Sequence, residues 1–510
     1  MYKYLAISLT VYIALTTGAV TGIDVNTSSG LVRGQTIDVL DKKVNAFIGI
    51  PFAEPPVGAL RFARPKPLAK PIPGVIDATK PKNSCMTGGS AQMGEDCLFV
   101  NVWAPQNTTK LKPVMFWIYG GGLGSGSIFS GANDGKALTI DDVVVASVNY
   151  RLRALGFMYG GPDTDCPGNM GFYDQTLGLK WVRENIHLFG GDKDQITIFG
   201  ESAGSWSVSA LVLSPLTKGL FKRAILQSGA DYHDQKAGGL VTAARTLQDS
   251  KNMAKHFNCT DQHNWVDCLR KVDAKDITNW PFPDLFPLDG TEFLPLPAQQ
   301  AFKQLKYNTD VDIIAGCNHD EGSNLAPKYS GNYTEQVFTE MVEKADKTFH
   351  GLDIQKVKDF YLKSVNKTDP KAIEWAFKQF YGDVFMKCPT YLFAKQLSQQ
   401  SVHRNVYFYE LTYQTTGNTC QGVCHGSELY YVFGRPVVGK GDKLDVDFSR
   451  EVMTYWTNFA KTGIPTTDIK WPQFNDKTLI VKDLNPHDFT KTLVDPFKTV
   501  CEEFWKQYFE

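Results

Sequence analysis

The stretch "TIFGESAGSW", residues 197–206, sets Ser202 between two glycines with G-x-S-x-G spacing. A serine hydroxyl is a weak nucleophile. Chemistry at Ser202 therefore requires a base, an acid to orient that base, and donors for the charge that develops on the substrate. The strand-like "ITIFG" before it and the helix-like "AGSWSVSALVLS" after it supply the sharp turn that lifts such a serine clear of a sheet. On that kind of turn the chain order is serine, acid, histidine. "VDIIAGCNHDEGSN" offers an acid just past a strand, either Asp320 or Glu321. Four histidines follow it: His350, His403, His425 and His487. Of these, His425 in "CQGVCHGSELYYVFG" comes after the strand "NVYFYEL" and sits beside a glycine, which ranks it first. "WIYGGGLGSGS" follows another strand and exposes backbone N–H groups suited to an oxyanion. A phosphate-binding reading of this loop fails, because no lysine follows in Walker spacing and the glycines do not open a helix as G-x-G-x-x-G would.

Positioning these residues calls for a particular set of elements. Short runs rich in β-branched and aromatic residues read as buried strands: 113–119, 143–151, 196–200, 223–229, 311–316 and 405–411. Amphipathic stretches such as 174–189 lie between them. Alternation of helix with continuously apolar strands predicts an α/β fold on a mostly parallel sheet flanked by helices. Segments 232–305 and 325–400 read as helical insertions, and no linker divides the chain. Ligands of such sheets bind beyond the carboxyl ends of the strands, which is where all the candidate residues fall.

The charge balance, 53 basic against 54 acidic residues, carries no polyelectrolyte character, so nucleic acid is not expected as a partner. The N-terminal "MYKYLAISLTVYIALTTGAVTGIDV" combines a lysine, a short apolar run and small residues. It reads as a secretory signal peptide over 1–22, cut near residues 19–23, and not as a membrane anchor, being short and broken by Ser8, Thr10, Thr16 and Thr17. The remainder, 23–510, reads as one domain. N-x-S/T acceptor sites at Asn26, Asn107, Asn258, Asn332 and Asn366, together with ten cysteines, suit an extracellular protein. Spacing alone does not pair the cysteines.

The GGG loop, G-E-S-A-G, D-E-G and H-G-S-E taken together resemble the type-B carboxylesterase and cholinesterase family of α/β-hydrolases. The likeness runs from "GLVRGQTIDVLDKKVNAFIGIPFAEPPVGALRFARP" through "EDCLFVNVWAP" and "FGGDKDQITIFGESAG" to "CHGSELYYVFG". The resemblance implies Ser202 as nucleophile, Glu321 in preference to Asp320 as acid, and His425 as base. It implies oxyanion donors at the amides of Gly121, Gly122 and Ala203, with supporting polar residues at Glu201 and Ser228. It also implies disulfides Cys85–Cys97, Cys259–Cys268 and Cys388–Cys501, ion pairs Arg61–Glu95 and Arg151–Asp174, and helical insertions forming a gorge. Cys166, Cys317, Cys420 and Cys424 fall outside that pattern, leaving a Cys420–Cys424 or a Cys166–Cys317 bridge open.

The chain also departs from its relatives. Tyr119 precedes the three glycines, as in cholinesterases, where many carboxylesterases have histidine. Yet cholinesterases carry a tryptophan between the first two cysteines to hold the choline cation, and here that loop is "MTGGSAQMGED". The residue after D-E-G-S, often aromatic in cholinesterases, is Asn324. The expected function is hydrolysis of small-molecule carboxylic esters by a secreted serine esterase that needs neither metal nor organic cofactor. A cholinesterase, a lipase-like esterase and a catalytically inactive adhesion protein are the alternatives. Retention of serine, acid, histidine and glycine loop speaks against the last.

Overall fold

The computed structural model describes residues 22–510 apart from 88–91, 107–108, 234–240, 284, 350, 401–403, 416–418, 440, 467–470 and 476. The signal-peptide segment and Asn107 thus lie outside the described residues. Thirteen strands among these residues form one sheet. In chain order they are β1 (Gly22–Thr27), β2 (Gly30–Val39), β3 (Lys42–Pro51), β4 (Ile72–Asp77), β5 (Phe99–Pro105), β6 (Lys112–Ile118) and β7 (Val144–Val148). They continue as β8 (Gly191–Glu201), β9 (Arg223–Gln227), β10 (Asp312–Asn318), β11 (Val406–Leu411), β12 (Ile480–Leu484) and β13 (Thr492–Val494). The spatial order is β1-β2-β3-β5-β7-β6-β8-β9-β10-β11-β12-β13, with β4 paired to β2.

From β7 to β12 every pairing is parallel, as the apolar strands predict. "VMFWI" of β6 and "VVASV" of β7 are buried on both faces, which only a sheet covered on each side by helices permits. Antiparallel pairings of β1, β2, β3, β5 and β7 extend one edge, and β13 caps the other antiparallel to β12. These edges are the part of the sheet that the apolar runs do not advertise.

Helix α1 (Met170–Asn185) covers residues 174–185 of the segment read as amphipathic, and Ile186–Phe189 continue it as a 3-10 turn. Helix α2 (Ala203–Leu213) follows Ser202 and is buried along its whole length. A helix apolar all round belongs in the middle of a core. Its serines turn their hydroxyls to nearby carbonyls, Ser207 to Ala203 at 2.9 Å and Ser209 to Trp206 at 2.8 Å, so these buried hydroxyl donors are satisfied. The two long insertions are helical, with helices such as Ala243–His256 in the first and Glu335–Phe349 and Pro370–Gly382 in the second.

Four disulfides join Cys85 to Cys97, Cys259 to Cys268, Cys388 to Cys501 and Cys420 to Cys424. Cys166 and Cys317 are buried and unbridged, which removes the Cys166–Cys317 alternative. Arg61 meets both oxygens of Glu95 at 2.6 Å, and Arg151 meets both oxygens of Asp174 at 2.8 Å. No helix among the described residues is long and apolar enough to cross a membrane.

Candidate active site

Five adjacent strands, β6-β8-β9-β10-β11, deliver every predicted site residue from their carboxyl ends. Ser202 directly follows β8 and caps α2 with φ 58° and ψ −128°, a conformation that a residue bearing a Cβ adopts only when its surroundings enforce it. The enforcement is visible in the packing. A Cβ added to Gly204 would run into the Ile118 carbonyl and the Tyr119 backbone, so α2 presses directly on the end of β6. The Ser202 N–H donates to the Gln227 carbonyl at the end of β9 (2.9 Å).

The glycine loop lies against this turn. A Cβ at Gly120 would stand 2.8 Å from that of Ser202. Gly121 and Gly122 both take positive φ, 113° and 60°, and the Gly121 carbonyl is turned back to accept from Ser125 N–H at 3.0 Å and Gly124 N–H at 3.1 Å. Ala203, as the first residue of α2, has an N–H without a partner inside the helix. Beneath the loop, Tyr119 stacks on Tyr150 with centroids 4.5 Å apart, and the Tyr150 hydroxyl donates to the Tyr119 carbonyl at 2.7 Å.

Glu321 and His425 meet across two loops. Glu321 Oε2 lies 2.6 Å from His425 Nδ1, and the other oxygen, Oε1, accepts from Asn318 N–H at 2.7 Å. Asp320 points elsewhere: its oxygens accept from Val423 N–H and Gln379 Nε2, each at 2.9 Å. Glu321, which the resemblance implied in preference to Asp320, is the carboxyl that reaches the imidazole. His425 Nε2 stands 3.0 Å from Glu201 Oε1, but the two are not aligned as a hydrogen bond. Nε2 has no hydrogen-bond partner among the described residues, Ser202 included. Ser228 is buried at the end of β9 with its hydroxyl likewise unpaired among them. Of the rival histidines, His350 and His403 lie outside the described residues, while His487 is exposed and packs on the Tyr413 ring at 5.7 Å.

Burial governs the electrostatics. It raises the Glu201 carboxyl to about 8, with the charges of Glu428 and Glu321 adding to the rise and His425 opposing it. Burial alone would depress His425, but the charges of Glu201 and Glu321 outweigh it and lift the imidazole to about 9. Glu428 is a third buried carboxyl that sequence reasoning passed over. It accepts from Asn318 Nδ2 at 2.6 Å and Gln227 Nε2 at 3.1 Å, while Trp456 Nε1 holds Gln227 from behind at 3.0 Å. Burial, and then repulsion from Glu321, raises Glu428 as well. Its only signal in the sequence is its place three residues after His425.

Residues 22–497 match the model of the carboxylesterase family. An acetylcholinesterase of Leptinotarsa decemlineata is 33% identical, the alignment covering 88% of this chain and 80% of that protein. A cholinesterase of Mus musculus is 32% identical over 95% of this chain and 86% of its own length. Acetylcholinesterase 4 of Caenorhabditis briggsae is 32% identical over 90% and 85%. With its large sheet flanked by helices and a family match over nearly its whole length, the chain belongs to the carboxylesterase family of α/β-hydrolases and is a carboxylic ester hydrolase.

Proposed function

We propose that the protein is a serine esterase in which Ser202, His425 and Glu321 form a catalytic triad. In this reading Ser202 Oγ attacks the ester carbonyl carbon while His425 Nε2 takes the hydroxyl proton. Glu321 holds the Nδ1 proton and stabilises the imidazolium that forms. The amides of Gly121, Gly122 and Ala203 receive the oxyanion. His425 then protonates the departing alcohol, the carbon–oxygen bond breaks, and an acyl-serine remains. Water, giving its proton to His425, attacks that acyl group, releases the acid and restores Ser202. Glu201 and Ser228 support this centre. The reading is supported by the 2.6 Å contact of Glu321 with His425, together with a serine held at positive φ just past a strand end.

Within this reading the substrates are neutral esters of small acids. The relatives are named for choline esters, but residues 86–96 contain no aromatic side chain and Asn324 follows the acid motif, so two cation–π contacts are missing. Secretion is part of the same proposal, with 1–22 as the signal peptide and 23–510 as one extracellular domain. Four disulfides support it, as do the exposed side chains of Asn26, Asn258, Asn332 and Asn366 for glycosylation.

The test is organophosphate labelling followed by peptide mapping. Label is expected on Ser202, and Ser202→Ala is expected to lose both the label and about 10⁶-fold of its turnover. Near-normal turnover by folded Ser202→Ala protein would overturn the assignment.

A further inference from the structure

We infer that Asn324 is a positioning residue for His425, an inference that rests on reading His425 as the general base. Asn324 lies on the single-turn helix α3 (Gly322–Leu325), three residues beyond Glu321. Its Oδ1 accepts from the His425 N–H at 3.1 Å, and its Nδ2 donates to the His425 carbonyl at 3.2 Å. One short stretch of chain therefore holds the same residue twice, Glu321 by the ring and Asn324 by the main chain.

The neighbouring contacts show why the second hold matters. His425 sits in a loop beyond β11, and a loop positions a ring only as well as its own backbone is held. Asp320 pairs with Val423 through both a carboxylate and its own N–H, each at 2.9 Å. Asn318 Nδ2 donates to the Cys424 carbonyl at 3.1 Å. Those bonds stop at residue 424. Among the described contacts, Asn324 supplies the hydrogen bonds made by a side chain to the main chain of residue 425 itself.

A primary amide presents an acceptor and a donor side by side and so takes both the N–H and the C=O of one residue. An aspartate could take only the N–H, and a leucine or an aromatic neither. With Cα free to drift, the single Nδ1 contact would act as a pivot, and Nε2 would swing away from Ser202. Misplacement by about 1 Å is enough to cost on the order of 10²-fold in rate.

Hydrolysis of a small neutral acetate ester is followed across about pH 6 to 11 for the full chain, Asn324→Leu, Asn324→Asp and His425→Ala. Asn324→Leu is expected to lower kcat about 10- to 100-fold with KM nearly unchanged. Its acidic limb should move to lower pH, because the imidazole drifts from the two carboxylates that raise it. Asn324→Asp keeps one of the two bonds and adds a negative charge. It should lose less kcat, and its acidic limb should move the opposite way, to higher pH. Wild-type kcat and pH profile in Asn324→Leu would overturn the inference, as would a raised KM at unchanged kcat, which would place Asn324 against substrate. Should Asn324→Leu fail to fold, the nearly isosteric Asn324→Asp decides, and wild-type behaviour there overturns it equally. Retained turnover in His425→Ala would instead sink the base assignment. An inactive His425→Ala beside a normal Asn324→Leu would sink the positioning role alone.

Discussion

At the scale of single residues, the centre is a set of carboxyls crowded around one imidazole. Glu201, Glu321 and Glu428 are all nearly inaccessible, and after burial itself the charge of Glu321 helps to raise the carboxyls of both Glu201 and Glu428. His425 sits among them, and its protonated form is favoured by Glu201 and Glu321. In the proposed triad His425 is the general base, which must be neutral to accept a proton, so turnover is expected to rise with pH as His425 loses its own. Glu201→Gln removes a charge that favours the protonated ring. His425 is then expected to deprotonate at lower pH, and the acidic limb of kcat/KM should shift to lower pH. A pH–rate profile of a neutral ester checks this. A limb that stays put or moves up would mean that Glu201 does not act on His425 electrostatically.

Elements set how accurately those residues meet. The β8–α2 turn works because nothing stands between helix and sheet: Gly204 rests on the ends of β6, and the glycine loop rests on the turn. Gly204→Ala would insert a Cβ where the Ile118 carbonyl and Tyr119 backbone already are, and backbone cannot swing aside as a side chain can. Overpacking of this kind costs about 1 to 3 kcal/mol, and here the strain falls on the turn that aims Ser202. The variant is expected to melt several degrees lower and to label slowly with organophosphate even where folded. A variant with normal melting and labelling would show that the turn tolerates a gap between α2 and β6.

The whole molecule decides what reaches the centre. Its net charge of −1 provides no strong overall field to gather cations. The loop closed by Cys85 and Cys97 has no aromatic residue, and Asn324 is engaged with the His425 main chain. Each missing cation–π contact is worth roughly 0.5 to 2 kcal/mol, so losing two weakens choline-ester selection by about one to three powers of ten. A neutral acetate or butyrate ester should therefore show the higher kcat/KM against its choline counterpart at low salt. A clear preference for the choline ester would show that other aromatics form the missing cage.

What the sequence by itself determined is what depends on neighbours along the chain. Ser202 on a strand–turn–helix, the glycine loop after β6, the acid motif after β10 and His425 after β11 are each local patterns. Hydrophobic period and turn chemistry make such patterns readable, and the same signals predict the parallel centre of the sheet. Tertiary structure supplies the physical reason groups meet, even where the family resemblance already preferred Glu321 to Asp320. Asp320 and Glu321 are adjacent and alike in charge, yet one takes a backbone N–H of the opposing loop and the other takes the imidazole. Cys420 with Cys424, and not Cys166 with Cys317, forms a bridge because pairing depends on where Cβ atoms fall in space. Glu428 and Asn324 carry no signature of their roles, since a buried carboxyl and an amide gripping a backbone are defined by partners about a hundred residues away in the chain or more. Sequence periodicity reports which face of an element is buried; only packing reports what lies against it.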